Sequence, residues 1–208
     1  MIRDRLAGRI AAEQSQISLA RHYDVSLPTL QRVLHRMEQE GLMARTGWRW
    51  AFVATLEDGR SQKASYELRL MIEPPALLLP GFHPDLAVLR QLVDEHHALL
   101  RALDDALRTP PMVFDLDAKF HETLAGFSRN PFLENIVRQQ STLRRLLELK
   151  SYTNRARVLA WCKEHLDILH ALVAGNRIEA SSLLRQHLMH AQAAARLTRR
   201  ETTGSNRS

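Results

Sequence analysis

Apolar residues recur every three to four positions through most of the chain, and no strand-rich region interrupts them, so the pattern predicts a mainly α-helical protein. In the carboxy-terminal two thirds it predicts helices over 65–79, 84–108, 113–128, 131–151, 154–174 and 178–199. The breaks carry helix-end residues: Pro80-Gly81, Thr109-Pro110-Pro111, Asn130-Pro131 and Gly175-Asn176. Asn130 is suited to cap the helix that Pro131 begins, because a first-turn N–H has no partner inside the helix and proline lacks that group.

Nearer the amino terminus the spacing tightens into two short helices. Residues 17–23 form the first, Asp24-Val25-Ser26 the turn, and the run from Leu27 the second, which Gly41 ends. Ala20 is small where two helices must cross, Val25 is expected to close the turn, and Ser26 to cap the second helix. Leu30, Val33, Leu34 and Met37 are expected on its core face. The run Gly47-Trp48-Arg49-Trp50-Ala51-Phe52-Val53 is rich in β-formers after a glycine and predicts a small hairpin. The expected architecture is therefore an N-terminal winged helix-turn-helix over 1–56, a polar linker over 57–64, a C-terminal antiparallel α-helical bundle over 65–199, and a disordered tail over 200–208.

In a helix-turn-helix the start of the second helix enters the major groove. That leaves Leu27, Thr29, Gln31 and Arg32 outward, with Ser26 at the turn. Gln31 is suited to an adenine edge, and Arg32 or Arg36 to phosphate or guanine. Arg45 and Arg49 fall on the hairpin, where a wing contacts backbone or minor groove. The formal net charge of +6 permits a polyanionic partner without demanding one.

Candidate chemistry lies in the bundle. Asp117 and His121 are four residues apart, which puts them on one helix face, whereas Asp115 is six from His121 and off that face. His165 and His187 each fall on a later amphipathic segment. Three imidazoles and a carboxylate suit a divalent transition metal, zinc first, with nickel, manganese and iron also compatible. The other histidines, His22, His35, His83, His96, His97, His170 and His190, read as solvated or half-buried groups. Cys162, the single cysteine, reads as a small buried apolar residue and cannot form an internal disulfide.

The stretch Leu19-Ala20…Val25-Ser26…Leu34…Glu40-Gly41-Leu42, closed by Phe52-Val53, resembles the GntR family of bacterial transcription regulators. Tyr66-Glu67-Leu68-Arg69…Glu73, Asp117-Ala118-Lys119-Phe120-His121, Asn130-Pro131-Phe132-Leu133, Glu164-His165 and Arg185-Gln186-His187-Leu188 resemble the all-helical effector domain of its FadR-like branch. The resemblance implies a metal held by Asp117, His121, His165 and His187. It also implies a homodimer on a double-stranded DNA operator and control by a small effector. A carboxylate effector would suit open positions on the metal and a cationic fork from Arg69 or Arg155.

Other readings remain. Leu27 and Gln31 stand where the family commonly has arginine, which motivates a helical metal- or ligand-binding protein with a degenerate DNA-binding module. A metal-dependent hydrolase would use a similar ligand set. However, His121-Glu122-Thr123-Leu124-Ala125 has alanine where a zincin helix needs its second histidine, and no phosphate loop or nucleophile elbow is found. The expectation is a regulator, not an enzyme. With no run of 18 apolar residues it is expected to be cytoplasmic, without a membrane partner.

Overall fold

The computed structural model describes residues 1, 4–5, 9–39, 41–53, 59–103, 110–148 and 152–204. The chain divides into two compact units, Met1–Ser61 and Gln62–Ser208, so the division falls inside the 57–64 segment.

In the first unit, helices α1 (Gln16–Tyr23) and α2 (Leu27–Gln39) are joined by a tight turn and accompanied by strands β1 (Glu13–Ser15), β2 (Met43–Thr46) and β3 (Arg49–Phe52). Ser15 caps α1, its Oγ accepting the Ser18 N–H at 3.1 Å. Asp24 ends α1 in the left-handed region at φ +50°. Leu19, Leu30, Leu34 and Met37 form the core with Leu42, Met43, Trp50 and Phe52.

Val33 and Val25, expected inside, are exposed, at 43% and 37%. A helix advances about 100° per residue, so Val33 lies roughly 60° round from Leu30 on the side away from Leu34, at the edge of the buried stripe.

The three strands form an antiparallel sheet in the order β1-β3-β2, with Gln14 and Arg45 flanking Trp50. The hairpin begins at Met43, earlier than its β-former signal, because β2 is exposed after its first residue and carries no apolar alternation. Strand β1 was not foreseen at all. Its sequence, Glu13-Gln14-Ser15, has no strand pattern, and only the free edge of β3 gives its backbone partners. The two-residue turn Gly47-Trp48 has positive φ at Gly47 alone (+63°), the position where a type II′ turn favours glycine.

The second unit consists of α3 (Gly59–Ala76), α4 (Leu86–Arg101), α5 (Pro110–Phe127), α6 (Pro131–Glu148), α7 (Arg155–Val173) and α8 (Arg177–Gly204). Helix α3 starts at Gly59, so residues 59–64, expected as linker, are its first turns; arginine, glutamine and lysine there are good helix formers. Residues 54–58 lie outside the described residues. Helix α8 runs past the expected boundary at 199 as far as Gly204, the first glycine or proline after Gly175. The rest of the expected tail, 205–208, lies outside the described residues.

Asp85, Asn130 and Asn154 cap α4, α6 and α7, each accepting first-turn N–H groups. Near the end of α3, Ser181 donates to Pro74 O at 2.8 Å and Arg177 donates to Leu77 O at 2.6 Å. These bonds tie the start of α8 to the carboxy-terminal end of α3 and the residue after it.

Helix α7 packs against α4 and α8, and α5 packs against α6 and α4. Their apolar faces form two clusters. One contains Leu89, Leu92, Phe120, Leu124, Leu169, Leu172 and Leu188; the other contains Leu99, Phe114, Tyr152, Val158, Trp161 and Cys162. Bordering those clusters is a layer of buried polar residues: His96 on α4, Asp117 and His121 on α5, and His165 on α7. Among the described residues no helix is long and apolar enough to cross a membrane.

Candidate functional site

That polar layer brings Asp117 and His121 from α5, His165 from α7 and His187 from α8 together, all buried. One ligand atom from each lies within 4.8 Å of all the others. His165 Nε2 and His187 Nε2 are 3.2 Å apart, and Asp117 Oδ1 is 3.8 Å from both His121 Nε2 and His165 Nε2. Donors held about 2.0–2.2 Å from one ion stand roughly 3–4 Å from each other, so this spacing fits a single cation.

The far ring nitrogens decide which atoms face the cluster. His187 Nδ1 lies 2.8 Å from Glu164 Oε2, and a carboxylate only accepts, so Nδ1 carries a proton and Nε2 is the ring nitrogen turned toward the cluster. His121 Nδ1 lies 2.8 Å from Glu73 Oε2, although off the line of a good hydrogen bond. Its Nε2 is buried and has no hydrogen-bond partner among the described residues. His165 Nδ1 meets His96 Nε2 at 3.0 Å. The Nε2 atoms of His121 and His165 therefore face one carboxylate oxygen, and the 3.2 Å approach of His187 Nε2 to His165 Nε2 needs a proton or a cation between the two nitrogens. The donor set and its orphaned His121 Nε2 fit a divalent metal.

The surrounding charges agree with that chemistry. Burial holds His165 well below the ordinary histidine range, with the neighbouring His187, His121 and His96 acting in the same direction. Burial, followed by the Arg69 charge, lowers His121 to about 4. Both rings are thus neutral and able to bind metal near pH 7. Burial alone would raise Asp117, but Arg144, His121 and Arg69 outweigh it and keep the carboxylate ionised. Arg144 donates to Asp117 Oδ2 at 2.7 Å, and the Tyr152 hydroxyl donates to the same oxygen at 3.0 Å. Glu73 is likewise ionised: Arg69 and His121 overcome its burial.

Of the two arginines expected to meet an effector, Arg69 lies in this layer, buried and paired with Glu73 through its Nε. Its Nη1 has no hydrogen-bond partner among the described residues. Arg155 is not brought there. It is exposed at the start of α7, ten residues and so about 15 Å along the axis from His165.

Sequence reasoning missed Glu73, Glu164, Arg144, Tyr152 and His96 as neighbours of the site. His96, expected to be solvated or half-buried, is 0% exposed. The i,i+4 spacing of Arg69 and Glu73 was a usable signal. Arg144 had none, since it and the exposed Arg145 are adjacent arginines. Arg145 instead pairs at 2.6 Å with the exposed Asp115.

In the first unit, Ser26, Gln31, Arg32 and Arg36 are exposed along α2 and Thr29 is half-buried. Ser26 Oγ accepts the Thr29 N–H at 3.4 Å, placing the expected cap at the start of the helix. On the hairpin, Arg45 donates to Gly47 O at 3.1 Å, and the Arg49 guanidinium lies 4.6 Å from the centre of the Trp48 ring.

Residues 64–190 match the family model of the FCD domain. The chain is 24% identical over 180 residues to an uncharacterised HTH-type transcriptional regulator, YdhC, of Bacillus subtilis, covering 85% of this chain and 78% of that one. Among solved structures its fold is similar to that of Lar of Listeria monocytogenes (TM-score 0.74, 17% identity, 93% and 92% of the two chains). It is also similar to E. coli McbR/YncC (TM-score 0.64, 18% identity, 90% and 88%). A GntR regulator from Rhodococcus sp. RHA1 gives 0.65, with 19% identity over 93% and 92%. The relatives are transcription regulators, not enzymes. With its winged helix-turn-helix and matched helical domain, this chain belongs to the FadR-like, FCD-containing branch of the GntR transcription regulators.

Proposed function

We propose that this regulator senses a small carboxylate through a divalent metal held by Asp117, His121, His165 and His187. The observation that carries the reading is the burial of one carboxylate and three imidazoles whose ligand atoms all lie within 4.8 Å of one another. A bound cation would supply Lewis-acid coordination for a carboxylate oxygen at its open positions.

Charge favours an anionic effector. Among the buried groups Asp117 and Glu73 bring two negative charges and Arg69 and Arg144 two positive ones, so a divalent cation leaves the layer positive. A carboxylate offsets that charge, and the Nη1 of Arg69 offers a buried donor. Zinc leads by ligand type, with nickel, manganese and iron compatible.

In this reading Ser26, Thr29, Gln31, Arg32 and Arg36 meet the major groove, and Arg45 and Arg49 meet the backbone or minor groove. A homodimer matches two half-sites of a DNA operator in the cytoplasm. The effector changes operator affinity by binding one conformation of the regulator more tightly than another.

The test is metal content by mass spectrometry on untagged protein, for wild type, His165→Ala and His187→Ala. Near-stoichiometric metal, lost in both variants, is expected. Operator binding by the loaded wild type is then titrated with small carboxylates at fixed salt. A folded wild type that cannot be loaded refutes the metal site, and operator affinity unmoved by every carboxylate refutes the effector class.

A further inference from the structure

We infer that His96 is a positioning residue which fixes the protonation pattern of His165, so that His165 presents a bare Nε2 to the ligand cluster. The inference deepens the metal reading and rests on it only for the affinity readout described below.

The geometry is a buried chain of two hydrogen bonds that starts at a backbone carbonyl. His96 Nδ1 is 2.7 Å from Leu92 O, one turn earlier on α4, and His96 Nε2 is 3.0 Å from His165 Nδ1. A carbonyl oxygen can only accept, so Nδ1 of His96 carries a proton. The ring has edge contacts with Phe120 and Trp161 and no solvent exposure. In that setting it is neutral and holds a single proton. Its Nε2 is therefore an acceptor, and His165 Nδ1 must be the donor. A neutral His165 then has nothing on Nε2 but a lone pair. The Phe120 ring stacks on His165 at 3.7 Å with planes 12° apart, which opposes a ring flip that would put carbons where the two nitrogens stand.

This support differs in kind from that behind the other two histidines. Glu73 and Glu164 are carboxylates, whose acceptor role is fixed by charge. His96 is an acceptor only because Leu92 O occupies its other nitrogen. Without His96, the buried Nδ1–H of His165 would lose its acceptor. The proton would then be better placed on Nε2, within 3.2 Å of His187 Nε2, where a hydrogen bond between two ligands would close the cluster.

The first measurement needs no variant: the imidazole nitrogen-15 spectrum of metal-free wild-type protein. The expected result is His165 protonated at Nδ1 and bare at Nε2; a His165 protonated at Nε2 overturns the inference. Two variants then separate positioning from packing. His96→Leu removes the acceptor and is expected to move the His165 proton to Nε2 and weaken zinc binding about 10- to 100-fold. His96→Gln, whose side-chain oxygen can take the place of Nε2, is expected to keep the Nδ1 proton and lie within a few-fold of wild-type affinity. Folded His96→Leu protein with wild-type affinity, or equal losses in both variants, overturns the role. If wild type binds no metal, the sensor reading fails, while the nitrogen-15 spectrum still decides the part played by His96.

Discussion

Replacing Arg144 with methionine isolates the electrostatics of the buried layer, because methionine keeps much of the length and apolar volume and removes only the guanidinium. Arg144 and Asp117 are both almost fully buried, and one Arg144 nitrogen lies 2.7 Å from Asp117 Oδ2. Removing one member of such a pair leaves the other charge uncompensated, at a cost of about 3–5 kcal/mol. At about 2–4 °C per kcal/mol for a protein of this size, the metal-free variant is expected to melt roughly 6–20 °C below wild type at pH 7.

The pH dependence has a defined sign. The native pKa of Asp117 is depressed, so its contribution is present above the unfolded carboxylate value of about 3.9 and is lost as pH falls through and below it. The gap between the two proteins should therefore be full at pH 5 to 7 and shrink below about 4. Zinc should reverse part of the loss. With Arg144 gone, a cation meets less like-charge repulsion and becomes the main counter-charge to Asp117, so the zinc-induced rise in Tm should be larger in the variant than in wild type. The assay is calorimetry with and without zinc. Melting within 2 °C of wild type, or a smaller zinc shift in the variant, would refute this account of the layer.

Three further outcomes follow from single residues. Burial pushes the Cys162 thiol up to about 12, so an alkylating reagent at pH 8 should leave it unmodified until the protein is unfolded; modification of the native protein within minutes would contradict the packing around it. Arg49→Ala should weaken binding to all duplex sequences alike and reduce the salt slope by about 1, whereas Gln31→Ala should change preference at one base pair by about 1–3 kcal/mol; the reverse assignment in fluorescence anisotropy would displace Gln31 from the groove.

Periodicity determined the helical class, and helix-end chemistry determined some of the boundaries, because both act within one or two turns of chain. Asn130 with Pro131, and Gly175, could be read directly for that reason. The four-residue spacing of Asp117 and His121 is likewise local, and it placed both on one face of α5 before any packing was known. Where a boundary depended on more than local signals, the sequence was silent. Glu13-Gln14-Ser15 became a strand only because β3 offered an edge, and 59–64 joined α3 because polar residues permit a helix as readily as a linker.

Tertiary structure decided the site itself. The sequence showed His165 and His187 on later helices, but only packing of α5, α7 and α8 brought their Nε2 atoms to 3.2 Å and gathered both rings with Asp117 and His121. It also separated residues that look alike along the chain. Arg144 faces Asp117 while Arg145 faces solvent, and His96 is sealed in the core while His97, the next residue, is only half-buried. Burial turns on the direction of a side chain relative to neighbouring helices, and adjacent residues on a helix point about 100° apart. Local pattern thus chose the elements, and long-range packing chose which of their polar groups are buried, paired and able to share a ligand.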